Sequence, residues 1–226
     1  KIEAFKQNLR NLAAAGINYF TYDHSPLGTW RAESGEYREG VVTRLYDESK
    51  PMMPVKGRKM NRPDPDRVFT EEEIWDNFIY FIKQVVPVAE EVKVRIGIHP
   101  NDPPGVTLGN VPRCIFSSFE GYKQAFEIAD SDYVGMCLCT GCWLQGGDTM
   151  GKDVIETIRY FGSRNKLFLV HFRNVSGTVP AFAETFLDDG YMNMYKVMQA
   201  LVEVEYDGGL HGDHWPEMIG GPNVGT

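Results

Sequence analysis

The hydrophobic residues near the start of the chain recur at the spacing of an amphipathic helix. The positions that carry this pattern between residues 2 and 15 are Ile2, Phe5, Leu9 and Leu12. Because such residues fall on one face of a helix, the segment predicts a helix that packs one side against a core. Gly16 ends this helix, and the run 17–22 predicts a short strand after it.

A polar stretch rich in glycine, proline and arginine separates this strand from the next helix. It covers about residues 26–69. Irregular segments of that length inside a compact domain usually have a function, so we expect a long loop or lid there. The following helix begins at Thr70, whose side chain can cap it, and Pro87 predicts a disturbance near its end.

The rest of the chain repeats one pattern, in which a strand is followed by a loop, a helix and the next strand. Strands are predicted at 94–99, 133–139, 167–171 and 208–214, and helices around 119–129, 152–162 and 191–205. This order builds a parallel sheet with right-handed crossovers. We therefore predict an α/β fold, a partial (β/α) barrel of about five parallel strands with flanking helices, as one domain over residues 1-226.

Every histidine of the chain falls at or just after the end of a predicted strand. The histidines are His24, His99, His171, His211 and His214. The carboxyl ends of parallel barrel strands open on one mouth, where ligands bind. Cys139 and Asp213 also lie at such ends, about one strand-plus-helix unit from their neighbours. The ligands predicted to converge on one divalent ion are His99, Cys139, His171 and Asp213.

This ligand set restricts the ion and the chemistry. Two imidazoles, a thiolate and a carboxylate suit Zn²⁺, Fe²⁺, Mn²⁺ or Co²⁺. On an octahedral ion they leave about two positions open, which favours Lewis-acid catalysis over a closed structural site. Other interpretations stay open at this point: Cys139 could be a core residue, Asp213 could cap a turn, and Cys137, Cys139 and Cys142 could form a separate cluster.

Composition and charge exclude several classes of partner. The formal charge is −8 and the pI is about 5.2, which argues against nucleic acid and against an anionic membrane surface. No apolar run approaches the roughly 18 residues of a membrane span, and the opening residues lack a signal-peptide core. Three of the cysteines crowd between residues 137 and 142, so we expect a reducing cytoplasm. The missing initiator methionine predicts a longer natural chain.

At the predicted ligands the sequence resembles the mannonate dehydratase family. The stretches that carry the resemblance are His99-Pro100-Asn101-Asp102-Pro103-Pro104, Met136-Cys137-Leu138-Cys139-Thr140-Gly141, Val170-His171-Phe172-Arg173 and Asp213-His214. The first stretch is the most specific single motif, and the order of all four is more specific still. Weaker similarity extends over nearly the whole chain.

The resemblance implies a TIM barrel that dehydrates D-mannonate to 2-dehydro-3-deoxy-D-gluconate in hexuronate catabolism. It implies one Mn²⁺ or Fe²⁺ on the four predicted ligands. His214 is the expected general acid or base, and Arg173 is expected to bind the substrate carboxylate bidentately. The residues expected to contact the sugar acid are His24, Arg31, Asn101 and Asp102. We also expect a homo-oligomer, a dimer or larger.

The resemblance is incomplete at both ends. Three strand–helix units of the family pattern precede the segment that matches the start of this chain, and the family's catalytic tyrosine falls beyond residue 226. The segment 212–216 departs from the family's Pro-Asp-His-Gly, which leaves the sugar acid open. The alternatives are a metal-dependent sugar isomerase or epimerase barrel, or a sugar-acid-binding relative without turnover. A nuclease barrel is disfavoured by the acidic charge.

Overall fold

Five parallel strands form the main sheet of the computed structural model, which describes residues 1–24, 30–54, 67–108 and 111–217. With strands and helices numbered along the chain, these are β1 (Tyr19–Tyr22), β6 (Arg95–Ile98), β7 (Val134–Cys139), β8 (Leu167–Phe172) and β11 (Gly209–Gly212). Their order in the sheet is the order in the chain. The predicted parallel sheet of about five strands is therefore confirmed.

The helices follow the strands as the sequence pattern predicts. They are α1 (Ile2–Ala14), α2 (Glu71–Val92), α3 (Phe119–Ala129), α4 (Thr140–Gly146), α5 (Val154–Gly162) and α6 (Met194–Glu203), with a 3₁₀ turn at Gly147–Met150 after α4. Every residue of the central strand β7 is buried, which shows that both faces of the sheet are covered there. Among the helices described, none is both long and apolar enough to cross a membrane.

Local sequence explains where these helices begin. The side chain of Thr70 accepts a hydrogen bond from the backbone N–H of Glu73, and Ser118 does the same for Gly121. The disturbance predicted at Pro87 is wrong, because α2 continues through it to Val92. Proline removes one N–H donor but already holds a helical φ, and the buried face of α2 around it keeps the helix packed.

The segment 26–69 is not irregular where the structure describes it, which corrects the loop prediction. It contains β2 (Trp30–Arg31), β3 (Glu33–Glu36), β4 (Val42–Asp47) and β5 (Met53–Pro54). β3 and β4 form an antiparallel pair, and β4 pairs with β10 (Ala181–Thr185), which pairs with β9 (Asn174–Val175). We call this four-stranded antiparallel unit the second sheet. Residues 26–29 and 55–66 of the predicted loop lie outside the described residues.

Candidate metal centre and catalytic cavity

A cavity of about 290 Å³ lies at the carboxyl ends of the main-sheet strands, beside the second sheet. Side chains of the main sheet and its loops form one wall: His99, Asp102, His171, Asp213 and His214. Arg44 and Tyr46 of β4 and Phe182 and Glu184 of β10 line the cavity as well. The volume is at the small end of the roughly 300–1,000 Å³ typical of small-molecule sites.

The four predicted metal ligands lie together, and three of them, His99, His171 and Asp213, line this cavity. Donor atoms of His99, Cys139, His171 and Asp213 all lie within 4.8 Å of one another. Strand register explains this, because Cys139 and His171 are paired residues of β7 and β8. His99 directly follows β6 and Asp213 directly follows β11, so both side chains lie at the carboxyl edge of the sheet.

The hydrogen bonds of the two imidazoles leave nitrogens directed at this group. His99 Nδ1 lies 2.7 Å from the carbonyl oxygen of Pro100, so this nitrogen donates and Nε2 keeps its lone pair. His171 Nε2 lies 3.5 Å from Cys137 Sγ. The buried Nδ1 of His171 has no hydrogen-bond partner among the described residues and lies 3.8 Å from Asp213 Oδ2. A cation between them would satisfy both atoms, so the residues fit a divalent ion.

The charges of the group favour the same ion. Burial raises the pKa of the Cys139 thiol, but the Cys142 hydrogen bond, the Arg173 charge and the two imidazoles outweigh it and hold this pKa well below its usual range. Burial lowers the pKa of His99 and His171, but the thiols of Cys139 and Cys137 raise it to about 9 and about 10. The Cys139 thiolate therefore favours positive charge next to it, and a bound divalent cation would supply that charge.

A second cluster adjoins the first and already contains a cation. Donor atoms of Asp102, Glu184 and His214 also lie within 4.8 Å of one another. Nη1 of Arg173 lies 3.1 Å from Asp102 Oδ2, 3.0 Å from Glu184 Oε1 and 2.6 Å from His214 Nδ1. The guanidinium thus takes the place that an ion would need, and this cluster is an ion-pair network.

The Cys-Thr-Gly-Cys segment after β7 provides the space for this arginine. Cys142 Sγ accepts a hydrogen bond of 3.1 Å from Arg173 Nη2, and Thr140 Oγ1 accepts one of 2.9 Å from the Arg173 backbone. A Cβ atom added at Gly141 would overlap the Nε, Cδ and Cγ atoms of Arg173. Glycine is therefore required at this position by the close approach of a buried side chain.

Gly141→Ala is accordingly expected to displace Arg173 and to destabilise the fold by about 1–3 kcal/mol, the range for overpacking a dense core. Gly177→Ala is the matched control, because an added Cβ there meets only the Ala181 carbonyl oxygen, at 3.8 Å. The measurement is the free energy of unfolding in urea. Similar losses in the two variants would contradict the packing role of Gly141.

Comparison with known proteins places this site in a family. The family model for D-mannonate dehydratase (UxuA) matches residues 60–225, well over half of the chain. The chain belongs to the D-mannonate dehydratase family. The mannonate dehydratase of Streptococcus uberis is 31% identical over 99% of this chain and 70% of its own length.

Solved structures agree with this family and with the TIM-barrel fold. The crystal structure of mannonate dehydratase from Streptococcus suis serotype 2 superposes with a TM-score of 0.83 at 29% identity, over 99% of this chain and 64% of that one. The chain thus spans about two thirds of the length of that dehydratase. D-psicose 3-epimerase from Clostridium cellulolyticum H10 covers 99% of this chain and 58% of its own, with a TM-score of 0.57 at 15% identity, and shows the fold alone.

Within this dehydratase-family chain, two of the expected substrate contacts line the cavity and two do not. Arg31 and Asp102 line it. His24 and Asn101 instead line a small separate pocket. His24 packs against Phe78 and Phe116, and burial lowers its pKa to about 4. The structure therefore places neither side chain at the cavity, and their contact with a sugar acid stays a prediction.

Asn101 and His24 have structural partners instead of a ligand. The Asn101 side chain is buried and accepts a hydrogen bond of 3.0 Å from Ser117 Oγ. His24 Nδ1 lies 2.6 Å from the hydroxyl of Tyr22. We expected both residues at the mouth because each follows a predicted strand. Asn101 instead points into the core from the loop after β6, and His24 packs against Phe78 of α2.

The structure places Arg173 inside an ion-pair network. Its side chain has 0% exposure, and its guanidinium is bound by Asp102 and Glu184. Its expected role, binding the substrate carboxylate, stays a prediction, and these two partners compete with it. Sequence analysis missed Glu184, which lines the cavity from the second sheet together with Arg44. A charged residue directly after the apolar run Ala181-Phe182-Ala183 was the available signal for Glu184.

Proposed function

We propose that the protein is a metal-dependent hydro-lyase that removes water from a sugar acid, most specifically D-mannonate to give 2-dehydro-3-deoxy-D-gluconate. The observation that carries this proposal is the four-donor group of His99, Cys139, His171 and Asp213, which adjoins the Asp102, Glu184 and His214 cluster. All of these residues except the fully buried Cys139 line the cavity. Membership of the D-mannonate dehydratase family supports the reaction.

The proposed metal is one Mn²⁺ or Fe²⁺, held by those four side chains. When bound, such an ion stabilises the negative charge that develops on the substrate carboxylate as the proton on C2 leaves. Two imidazole nitrogens bind either ion, and the negative charges of one thiolate and one carboxylate balance the charge of the ion. Family and donor set together support a divalent ion but leave the choice between the two metals to experiment.

His214 is the proposed residue for proton transfer. Its side chain lines the cavity, is 23% exposed, and has Nε2 3.4 Å from Asp213 Oδ1. An imidazole in this place can take the proton from C2 or deliver one to the leaving hydroxyl on C3. Its neighbour Asp213 belongs to the metal group, so the proton and the metal are handled by adjacent residues.

Arg31 and Arg44 replace Arg173 as the proposed contacts for the substrate carboxylate. Both line the cavity, Arg31 in β2 and Arg44 in β4. Arg44 Nη1 lies 3.2 Å from each ring nitrogen of His214, so a carboxylate bound there would be next to the proposed base. Guanidinium groups suit planar carboxylates because they offer paired N–H donors. Asp102 can accept hydrogen bonds from sugar hydroxyls on the other wall.

The strands of segment 26–69 are proposed to act as a lid. Arg31, Arg44 and Met52, in the described part of this segment, all line the cavity. Closure over a substrate would exclude water from the reacting carbon. We also propose that the protein is a homo-oligomer, which light scattering tests, and that it works in the cytoplasm, where its free cysteines would stay reduced.

Chelation of the whole protein is expected to abolish turnover, and Mn²⁺ or Fe²⁺ is expected to restore it. The assay presents a panel of aldonic acids and measures formation of a 2-keto acid with loss of water. An isomerised or epimerised product without water loss would instead establish the epimerase alternative. Metal-dependent binding of a sugar acid without any product would establish the non-catalytic alternative.

A further inference from the structure

The carboxylate of Asp23 lines the cavity but is not used by the metal group or by the ion-pair network. Asp23 directly follows β1 and is exposed. Its side chain forms no hydrogen bond and no ion pair with any of the described residues, so its oxygens keep their capacity to accept hydrogen bonds from a ligand. β1 lies at one end of the main sheet and β11 at the other. Asp23 and His214 therefore come from opposite ends of the sheet.

Arg113 supplies a cation on the same part of the cavity. It lies in the loop after β6 and lines the cavity. Its Nη1 donates hydrogen bonds of 2.9 Å to the backbone carbonyl oxygens of Asp102 and Pro103. These bonds hold the guanidinium in place, and within the described part of the chain no carboxylate forms an ion pair with it. Its other N–H groups are therefore available as donors.

Asp23 and Arg113 attract each other without meeting. Their charges interact, but the two side chains are too far apart for an ion pair. A hydroxyl group between them would donate a hydrogen bond to the carboxylate and accept one from the guanidinium, so both charged groups would gain a partner. A carboxylate in that place would be attracted by Arg113 and repelled by Asp23. The presence of Asp23 therefore favours a neutral group.

We propose that Asp23 and Arg113 form a subsite for the hydroxyl-bearing end of the sugar acid, and that Asp23 discriminates against acids with a second carboxylate at that end. This inference rests on the proposed function, in which the one carboxylate of the substrate binds near the metal group and Arg44. Arg44 contacts His214 after β11, whereas Asp23 follows β1, so the two ends of the acid have separate contacts. Repulsion of the wrong group then adds to attraction of the right one.

Two acids that differ only at the chain end test the subsite. D-mannonate ends in a hydroxymethyl group, and D-mannarate has a second carboxylate in its place with the same configuration at C2 to C5. Binding of each acid to the whole protein with Mn²⁺ is measured by calorimetry in the His214→Asn variant, which is chosen to slow turnover. The reference protein is expected to bind D-mannonate more tightly than D-mannarate.

Asp23→Asn, added to that variant, is expected to move the two affinities in opposite directions. D-mannonate should bind about fivefold or more weaker, because a hydrogen bond to a charged acceptor contributes more than one to a neutral amide. D-mannarate should bind more tightly, because the repelling charge is gone. The substitution keeps the size of the side chain, which has no partner among the described residues to lose. Affinities that change in the same direction, or not at all, would overturn the proposal.

Two further variants separate the subsite from general effects. Asp76→Asn makes the same change at an exposed position of α2 that does not line the cavity, and it should alter neither affinity. Arg113→Lys keeps the charge but not the planar fork, and it should weaken D-mannonate. L-erythronate, which keeps the configuration at C2 and C3 but is too short to reach the subsite, should be unaffected by it. Equal losses for both acids would show that Arg113 acts only on its own loop.

Turnover distinguishes failure of this proposal from failure of the proposed function. If no sugar acid loses water but the affinities respond to Asp23→Asn as expected, the proposed function fails and the subsite stands. If the parent protein dehydrates D-mannonate and Asp23→Asn changes neither affinity, the subsite fails and the proposed function stands. Absence of binding of either acid would overturn both.

Discussion

Asp213→Asn is expected to lose bound metal together with turnover, whereas His214→Asn is expected to keep its metal and lose turnover by about a hundredfold or more. The two residues are adjacent but belong to different clusters. Asp213 lies with His99, Cys139 and His171, and His214 lies with Asp102 and Glu184. A substitution at Asp213 should therefore affect metal binding, and a substitution at His214 should affect turnover without loss of metal.

Backbone conformation explains how neighbours reach different clusters. We expected an extended segment, in which adjacent side chains point to opposite sides. The structure instead has His214 in the left-handed region, with φ +47°, immediately after Asp213. This turn after β11 directs the imidazole towards Glu184 while the carboxylate stays at the strand end. Their nearest approach is 3.4 Å, between His214 Nε2 and Asp213 Oδ1.

Metal analysis by mass spectrometry on the purified whole protein, beside turnover, decides this prediction. Asp207→Asn is the control, since it makes the same chemical change at an exposed position just before β11. It should alter neither quantity. Equal metal loss in Asp213→Asn and His214→Asn would make His214 a ligand and would leave the site without its proposed base.

The main sheet and the metal group could be predicted because both depend on local pattern. Short apolar runs, separated by segments with the hydrophobic spacing of helices, predict β6, β7, β8 and β11. In a barrel the carboxyl ends of such parallel strands open on one mouth. Side chains at those ends are therefore brought to one edge of the sheet, and the strand boundaries predict that His99, Cys139, His171 and Asp213 lie close together. His24 also follows a strand, but packing against Phe78 and Phe116 places it at a separate pocket.

The second sheet could not be predicted because its pairing is not local. β4 and β10 are far apart in sequence, and their short strands include polar residues that read as a loop. Without that sheet, Arg173 appeared to end a strand at an open mouth and His24 appeared to face the ligand. With β4 and β10 in place, Arg173 is a buried partner of Asp102 and Glu184. Glu184, in β10, also contacts His214.

Arg173→Met is expected to destabilise the fold by about 3–5 kcal/mol, because it leaves the buried Glu184 and the partly buried Asp102 without their cation. The arginine side chain is 0% exposed and pairs with Asp102 and with Glu184, which is 7% exposed. Burial alone would raise the pKa of Asp102, but the charges of Arg173 and then His214 overcome this and lower it to about 2. Removing the arginine removes the larger of these two favourable interactions.

The exposed pair of Arg159 and Glu203 provides the control for that substitution. Arg159 Nε lies 2.7 Å from Glu203 Oε2, closer than the 3.0 Å between Arg173 Nη1 and Glu184 Oε1, but the two side chains are 54% and 50% exposed. Water screens both charges and can solvate Glu203 when its partner is lost, so Arg159→Met should cost far less stability. Arg173→Lys keeps the charge without the planar fork and should fall between the two. Urea unfolding of the three variants measures the order, and equal losses in Arg173→Met and Arg159→Met would show that burial of the network contributes nothing to its strength.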